Sequence, residues 1–243
     1  VIAKTPRNAM VLAAGLGKRM RPITDTMPKP LVRVAGKALL DWGLDSLAEA
    51  GVEKAVVNIH YLGGQVVDHV AKRQQPRVVI SDERDRLLDS GGGIVNALDE
   101  IGPDPFYILN SDTFWIDGDE SNLRRLALEW DPARMDILLM LSDLESATGH
   151  TGGVDFLLGR DGRLRRAKGA PSGFIYAGAA IAHPRIFAGA NAEPHSLNRY
   201  FDAAIAEGRL FGLPMRGTWI TVGTPDAIGP AERAVAEASA VKV

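Results

Sequence analysis

Apolar positions in the first half of the chain alternate between two periods. The runs at 9–13, 54–59, 77–80 and 106–109 are short and rich in β-formers, and they read as strands. Between them, Leu39, Leu40, Leu44, Leu47 and Ala48 recur at helical spacing, and Gly51 stands where a helix would stop. The patterns at 64–73 and 94–101 predict two further helices. Strands alternating with helices imply βαβ units around a mainly parallel sheet. Ligands of such sheets bind beyond the carboxyl ends of the strands, which directs attention to the loops after Ala13 and Leu109. The second half is less regular. Strands are expected at 136–141, 154–158, 173–182 and 210–214, and helices at 197–206 and 225–237.

Composition adds exclusions. The chain has 243 residues, 46 % hydrophobic and 24 % charged, an ordinary globular balance with enough length for one sizeable core. No linker-like stretch divides it, so a single domain over 1–243 is expected. The net charge of −2 gives no reason to expect nucleic acid or an anionic membrane as partner. Without cysteine there is no disulfide, thiolate metal site or thiol nucleophile. No apolar run approaches the roughly 20 residues of a membrane helix, and residues 1–8 lack the apolar core of a signal peptide. The expectation is a cytoplasmic protein, as a monomer or small homo-oligomer.

Charge is unevenly placed, and this changes the picture. The first predicted strand runs into Ala14, Gly15, Leu16 and Gly17, where glycines allow a sharp turn and close backbone approach to a ligand. Free N–H groups in such a turn cradle phosphate oxygens. Lys18, Arg19, Arg21, Lys29, Arg33 and Lys37 fall within twenty positions, opposed only by Asp25. A triphosphate needs that neutralisation. The pattern is neither a dinucleotide fingerprint nor a P-loop, since the third glycine and the G-K-[ST] ending are missing. Lys29 lies between Pro28 and Pro30, which restrict the backbone on both sides; it is either a positioned cation or part of a rigid surface turn.

The strand at 106–109 leads into Asn110-Ser111-Asp112-Thr113. Asp112 is a hard oxygen ligand at the ligand edge of the sheet, suited to Mg²⁺. An Asx turn explains the same residues equally well. Further on, Leu88-Asp89-Ser90-Gly91-Gly92-Gly93 opens a helix. Its glycines either admit a flat nucleobase or ease the helix entry. Asn58 and His60 end the second strand and are further candidates to face a nucleotide.

Taken together, these motifs resemble the sugar-nucleotide pyrophosphorylases. Leu12 to Pro22 matches L-x-x-G-x-G-x-R-x-x-P, Pro28-Lys29-Pro30 matches P-K-P, and Asn110-Ser111-Asp112 matches the metal loop. The resemblance implies an α/β, Rossmann-like three-layer nucleotidyltransferase fold with a mainly parallel central mixed sheet. Its nucleotide-binding part would span about 8–115 and its sugar-binding part about 116–243. It implies that Ala14, Gly15, Gly17, Lys18, Arg19, Lys29, Gly92 and Asn110 bind the nucleoside triphosphate. Asp155, Tyr176 and Gly178 would meet the sugar, and Trp219 would wall the pocket or else sit in the core. One position departs from the family. Trp219-Ile220-Thr221-Val222-Gly223-Thr224 carries Thr221 where W-x-D-V-G-T supplies a second metal carboxylate.

Across nearly the whole chain the motifs look closest to the N-acetylmuramate α-1-phosphate uridylyltransferases of cell-wall recycling. Mannose-1-phosphate guanylyltransferases and glucose-1-phosphate thymidylyl- or uridylyltransferases share most of them. The implied substrates are UTP and N-acetylmuramic acid α-1-phosphate. The implied catalytic residues are Arg19 on the leaving pyrophosphate, Lys29 on the α-phosphate and Asp112 as the Mg²⁺ ligand. Thr221 keeps open a non-catalytic nucleotide sensor.

Overall fold

The computed structural model describes residues 5–241. Residues 1–4, which fall in the stretch read as lacking a signal peptide, lie outside it. In chain order the strands are β1 Asn8–Leu12, β2 Arg33–Val34, β3 Lys37–Ala38, β4 Lys54–Ile59, β5 Arg77–Asp82, β6 Phe106–Asn110, β7 Thr113–Asp117, β8 Ile137–Asp143, β9 Phe156–Leu158, β10 Leu164–Arg166, β11 Phe174–Ala182, β12 Leu210–Pro214 and β13 Gly217–Thr221. The helices are α1 Leu39–Glu49, α2 Gly63–Val70, α3 Asp89–Ile101, α4 Asn122–Glu129, α5 Asn198–Ala206 and α6 Ile228–Val241.

Nine strands form one mixed sheet. β1 pairs in parallel with β4 and β6, and β4 with β5. β11 runs antiparallel between β6 and β8, and β12 lies parallel to β8. The second half of the chain therefore extends the sheet begun by the first. Side chains of β1 alternate between two cores: Ala9 and Val11 face one, Met10 the other. Leu40, Leu44 and Leu47 of α1 and Leu123 and Leu126 of α4 close the first core. Ile94, Ala97 and Ile101 of α3 and Tyr200, Phe201 and Ala204 of α5 close the second. The result is three layers, helix on sheet on helix. Each fully buried Leu or Ile contributes about 1.5–3 kcal/mol of apolar burial.

A third, smaller cluster joins Met20, Val32, Phe114, Ile220 and Val222 to Ala231 of α6. It is organised by a β7–β13 ribbon separate from the main sheet. Sequence patterning missed this ribbon. β7 follows β6 after a two-residue turn, too close to read as a second strand, and Trp219 was read as a motif. It also missed α4, whose eight residues give the helical period little length to declare itself. At 154–158 only Phe156–Leu158 is strand; Asp155 lies just before it, its amide bonded across to the Phe174 carbonyl at the start of β11. The predicted helix at 225–237 begins as a 3₁₀ turn, Pro225–Ala227, before α6.

The pairing of β11 with β8 slips between Tyr176 and Ala180, and Gly178 sits in that bulge at φ 77°. A Cβ there would stand 2.2 Å from Thr113 Oγ1 and 3.3 Å from Asn110 Cβ. The glycine thus lets β11 approach the end of β6. Gly178→Ala adds both the clash and the left-handed strain, and should lower unfolding free energy by about 2–3 kcal/mol. A wild-type urea midpoint in that variant would show that the bulge repacks freely.

Candidate active site

The carboxyl ends of β1, β4 and β6 open into a cavity of roughly 430 Å³. Leu12, Ala13, Ala14, Gly15, Gly17, Lys18, Arg19 and Lys29 line it, with Asn58, Leu87, Asp89, Ser90, Asn110, Ser111, Asp112 and Gly223. The backbone from Ala14 to Gly17 has no N–H donated to any acceptor among the described residues, whereas the Ala13 N–H is held by Asn58 Oδ1 at 2.7 Å. Ala14, Gly15 and Gly17 line the cavity, and unpaired amides in such a turn are donors suited to an anion. Gly17, at φ 60°, turns the chain into the Lys18–Met20 3₁₀ turn, and its missing Cβ leaves room for Thr24 and Lys29.

Lys29–Leu31 form a 3₁₀ turn entered from an extended Pro28, with the Leu31 amide bonded to the Pro28 carbonyl. It aims Lys29 inward: its side chain is only 12 % exposed, and Nζ donates to Asp112 Oδ2 at 2.7 Å. Lys29 is thus a positioned cation rather than a surface turn residue. Asp112 is held from two sides. Ser111 Oγ donates to the Leu12 carbonyl, and the Val222 amide donates to the Asp112 carbonyl. Its carboxylate accepts from Lys29 and from no backbone amide among the described residues, so the Asx-turn reading does not hold. Thr221 pairs with Thr113 in the β7–β13 ribbon, one residue from Asp112. Gly223 lies against Arg19, where a Cβ would stand 3.7 Å from Nη1. The ribbon thereby brings the C-terminal motif to the basic loop.

On the opposite wall, two buried polar groups set the backbone. Asn58 Nδ2 donates to Glu83 Oε1 at 2.7 Å, and Glu83 Oε2 accepts from the Leu88 amide at 3.0 Å. Burial is the largest influence on Glu83 and pushes its carboxyl above the ordinary glutamate range, while the bonds from Asn58 and Leu88 pull the other way. Glu83 escaped the sequence reading because an acidic residue after a strand usually marks only an exposed loop. Asp89 takes a left-handed φ of 58° at the cavity edge, a conformation Asp tolerates better than most residues.

The glycines of α3 are placed differently from expectation. Gly91 and Gly92 donate their amides to the His195 carbonyl. A Cβ on Gly92 would meet the Glu193 carbonyl oxygen at 2.1 Å, and one on Gly93 would meet Asn58 and Glu83 at 2.7 Å. The space a side chain would take at these glycines is filled by protein neighbours, and Gly92 is not among the residues that line the cavity. The cavity wall here is made by Leu87, Asp89 and Ser90 instead.

A second cavity of roughly 220 Å³ adjoins the first through Leu12, Ser90 and Asn110. It contains Asp155, Phe156 and Tyr176, together with Arg166, Asn198 and Phe201, which carried no functional signal in the sequence. Asp155 Oδ2 accepts from the Tyr176 amide at 2.9 Å. The Tyr176 hydroxyl is buried without a partner among the described residues, and burial pushes its pKa up. Gly178 and Trp219 line neither cavity. Gly178 serves the bulge. Trp219 is 3 % exposed, with Nε1 donating to the Ala177 carbonyl at 2.9 Å, so it is a core residue.

This arrangement of free amides, cations and a carboxylate at the carboxyl edge of the sheet defines a nucleotidyltransferase class of site. The chain belongs to the MobA-like NTP transferase domain family, whose model matches residues 9–157. It is 43 % identical to the N-acetylmuramate alpha-1-phosphate uridylyltransferase of Caulobacter vibrioides, over 98 % of this chain and 100 % of that protein. It is 35 % identical to the protein of the same name from Neisseria meningitidis serogroup B, over 89 % and 93 % of the two chains. Its fold is shared with a UDP-glucose pyrophosphorylase solved with UDP-glucose, at TM-score 0.74 and 18 % identity, covering 95 % of this chain and 98 % of that one.

Two outcomes follow from the buried wall. Asn58→Ala leaves the Ala13 amide and one Glu83 oxygen unpaired and should cost about 2–3 kcal/mol in urea unfolding. An unchanged midpoint would mean water replaces both bonds. Native Glu83 holds its proton more tightly than unfolded Glu83. Its contribution to stability is therefore full below the ordinary glutamate range and is lost as pH rises through the raised native value. Urea unfolding from about pH 4 to 7 should show wild type losing stability relative to the non-titrating Glu83→Gln as pH rises. A pH-independent difference would contradict the burial account.

Proposed function

We propose that this chain transfers the uridylyl group of UTP to N-acetylmuramic acid α-1-phosphate, releasing pyrophosphate. The observation that carries the reading is the meeting of the free Ala14–Gly17 amides with the Lys29–Asp112 pair in the first of two adjoining cavities. The first is sized for a nucleotide and the second for a sugar. The base and the sugar are supported by the two uridylyltransferase relatives, the nearer of them 43 % identical along nearly the full chain. No helix of the described residues is long and apolar enough to cross a membrane. The proposed setting is the cytoplasm, which supplies UTP.

A phosphate oxygen of the sugar 1-phosphate attacks the α-phosphorus of UTP in line. The new P–O bond forms as the bond between the α-phosphorus and the bridging oxygen breaks, and pyrophosphate leaves with that electron pair. The nucleophile is already an anion, so no general base is required. Catalysis is positioning and charge neutralisation. The Ala14–Gly17 amides, Lys18 and Arg19 hold the β- and γ-phosphates and stabilise the leaving group. Lys29 exchanges Asp112 for oxygens of the α-phosphate and the incoming phosphate. Asn110 lies between the two cavities, where nucleotide and sugar meet.

Mg²⁺ fits the donor set. Asp112 offers a hard, one-third exposed carboxylate. No three His, Cys, Asp or Glu side chains come together among the described residues. One carboxylate completed by substrate phosphates and water suits this cation. When bound, Mg²⁺ would neutralise phosphate charge as pyrophosphate departs. Thr221, neutral and paired with Thr113, the residue after Asp112, favours the second reading, a nucleotide sensor without turnover.

Pyrophosphate release with Mg²⁺ across a matrix of nucleoside triphosphates and sugar 1-phosphates tests the proposal. Release is expected to be fastest with UTP and N-acetylmuramic acid α-1-phosphate. Another preferred pair would overturn the substrate assignment, and nucleotide binding with no release in any combination would establish the sensor. Asp112→Ala should abolish turnover while leaving the circular dichroism spectrum unchanged; retained turnover would remove Asp112 from the metal site. Lys29→Ala should lower kcat on the order of 10²–10³-fold. A loss below about tenfold would put Lys29 outside the reacting centre.

A further inference from the structure

We propose that Arg166 is the specificity-determining residue that reads the carboxylate of the acceptor's lactyl ether. The inference rests on the uridylyltransferase reading above and deepens it. N-acetylmuramic acid differs from N-acetylglucosamine by a lactic acid ether on the sugar ring, which adds a second anion to the sugar 1-phosphate. The 1-phosphate itself belongs with Lys29 and Asp112. A separate cation is therefore required on the sugar side.

Arg166 is the one cation among the residues that line the second cavity. It ends β10, and its guanidinium lies 4.9 Å from the Phe156 ring centroid and 5.9 Å from that of Phe201. Two of its three nitrogens are anchored. Nε donates to Asp202 Oδ1 at 2.8 Å, and Nη2 to Asn198 Oδ1 at 2.8 Å, both partners belonging to α5. Nη1 has no partner among the described residues. The plane of the guanidinium is thus set by the two rings and two hydrogen bonds, with both N–H groups of Nη1 unspent. An Arg held in this way offers a directed, charge-assisted bond to a carboxylate. The remaining polar groups of the cavity suit neutral sugar atoms. Asp155 is engaged by the Tyr176 amide, and Ser90, Asn110 and Asn198 are uncharged.

Arg166 also braces β10 against α5, and the test separates the two roles. N-acetylmuramic acid α-1-phosphate is compared with its lactyl methyl ester, which keeps the bulk and removes the charge. Both are assayed at saturating UTP with wild type, Arg166→Met and Arg166→Lys. Esterification should lower the wild-type kcat/KM by about 30- to 100-fold, chiefly through KM, and that of Arg166→Met by no more than about threefold. Arg166→Lys should show an intermediate penalty. An equal ester penalty in wild type and Arg166→Met would reduce Arg166 to a brace and overturn the proposal. An active wild type indifferent to esterification would overturn it alone, whether or not Arg166→Met folds. A wild type inactive with N-acetylmuramic acid α-1-phosphate but active with another sugar 1-phosphate would overturn the substrate reading, and the role of Arg166 with it.

Discussion

The parallel pairing of β1 with β4 on one side and β6 on the other is the constraint on which the rest of the structure depends. It brings Leu12, Asn58 and Asn110 to one edge of the sheet. From that edge the Gly-rich loop leaves β1, the acidic turn leaves β6, and Asn58 of β4 reaches across to hold the Ala13 amide. The two cores on either face make the register costly to change, because a one-residue slip would exchange the residues facing α1 for those facing α3. The cavity is therefore a consequence of sheet geometry. Its charge is a consequence of which residues stand just past the strand ends.

One ion pair then joins segments far apart in sequence. Lys29 and Asp112 are 83 residues apart, yet Nζ and Oδ2 are 2.7 Å from each other. The pair is largely closed from solvent on the Lys29 side and more open on the Asp112 side. The β7–β13 ribbon reinforces the arrangement by fastening Val222 to Asp112 and setting Gly223 beneath Arg19. Thr221 lies near this centre as a neutral group, at the position where the W-x-D-V-G-T pattern carries a carboxylate. Under the proposed reaction, the substrate phosphates supply the difference.

The residues that line the first cavity were largely legible in the sequence because most of them are close together along the chain. Gly15, Gly17, Lys18, Arg19 and Lys29 lie within fifteen positions, and Asp112 follows an unmistakably apolar strand. The sheet order on that side followed from alternating periods. What was not legible depends on contacts between distant segments. Gly92 reads as a ligand-facing glycine until Glu193 is seen occupying the space. Trp219 reads as a pocket wall until Ala177 accepts its indole N–H. Glu83 and Arg166 carry no motif; their meaning comes from Leu88 in one case and from Phe156, Asn198 and Asp202 in the other. No spacing rule predicts such pairings.

The most direct test of this account is a crystallographic map of the protein with Mg²⁺ and a non-hydrolysable UTP analogue. The account predicts the β- and γ-phosphates along the Ala14–Gly17 amides, the α-phosphate within hydrogen-bond reach of Lys29 Nζ, and the cation on Asp112. Phosphates lodged elsewhere, with the Lys29–Asp112 pair intact and the metal held by other side chains, would contradict it.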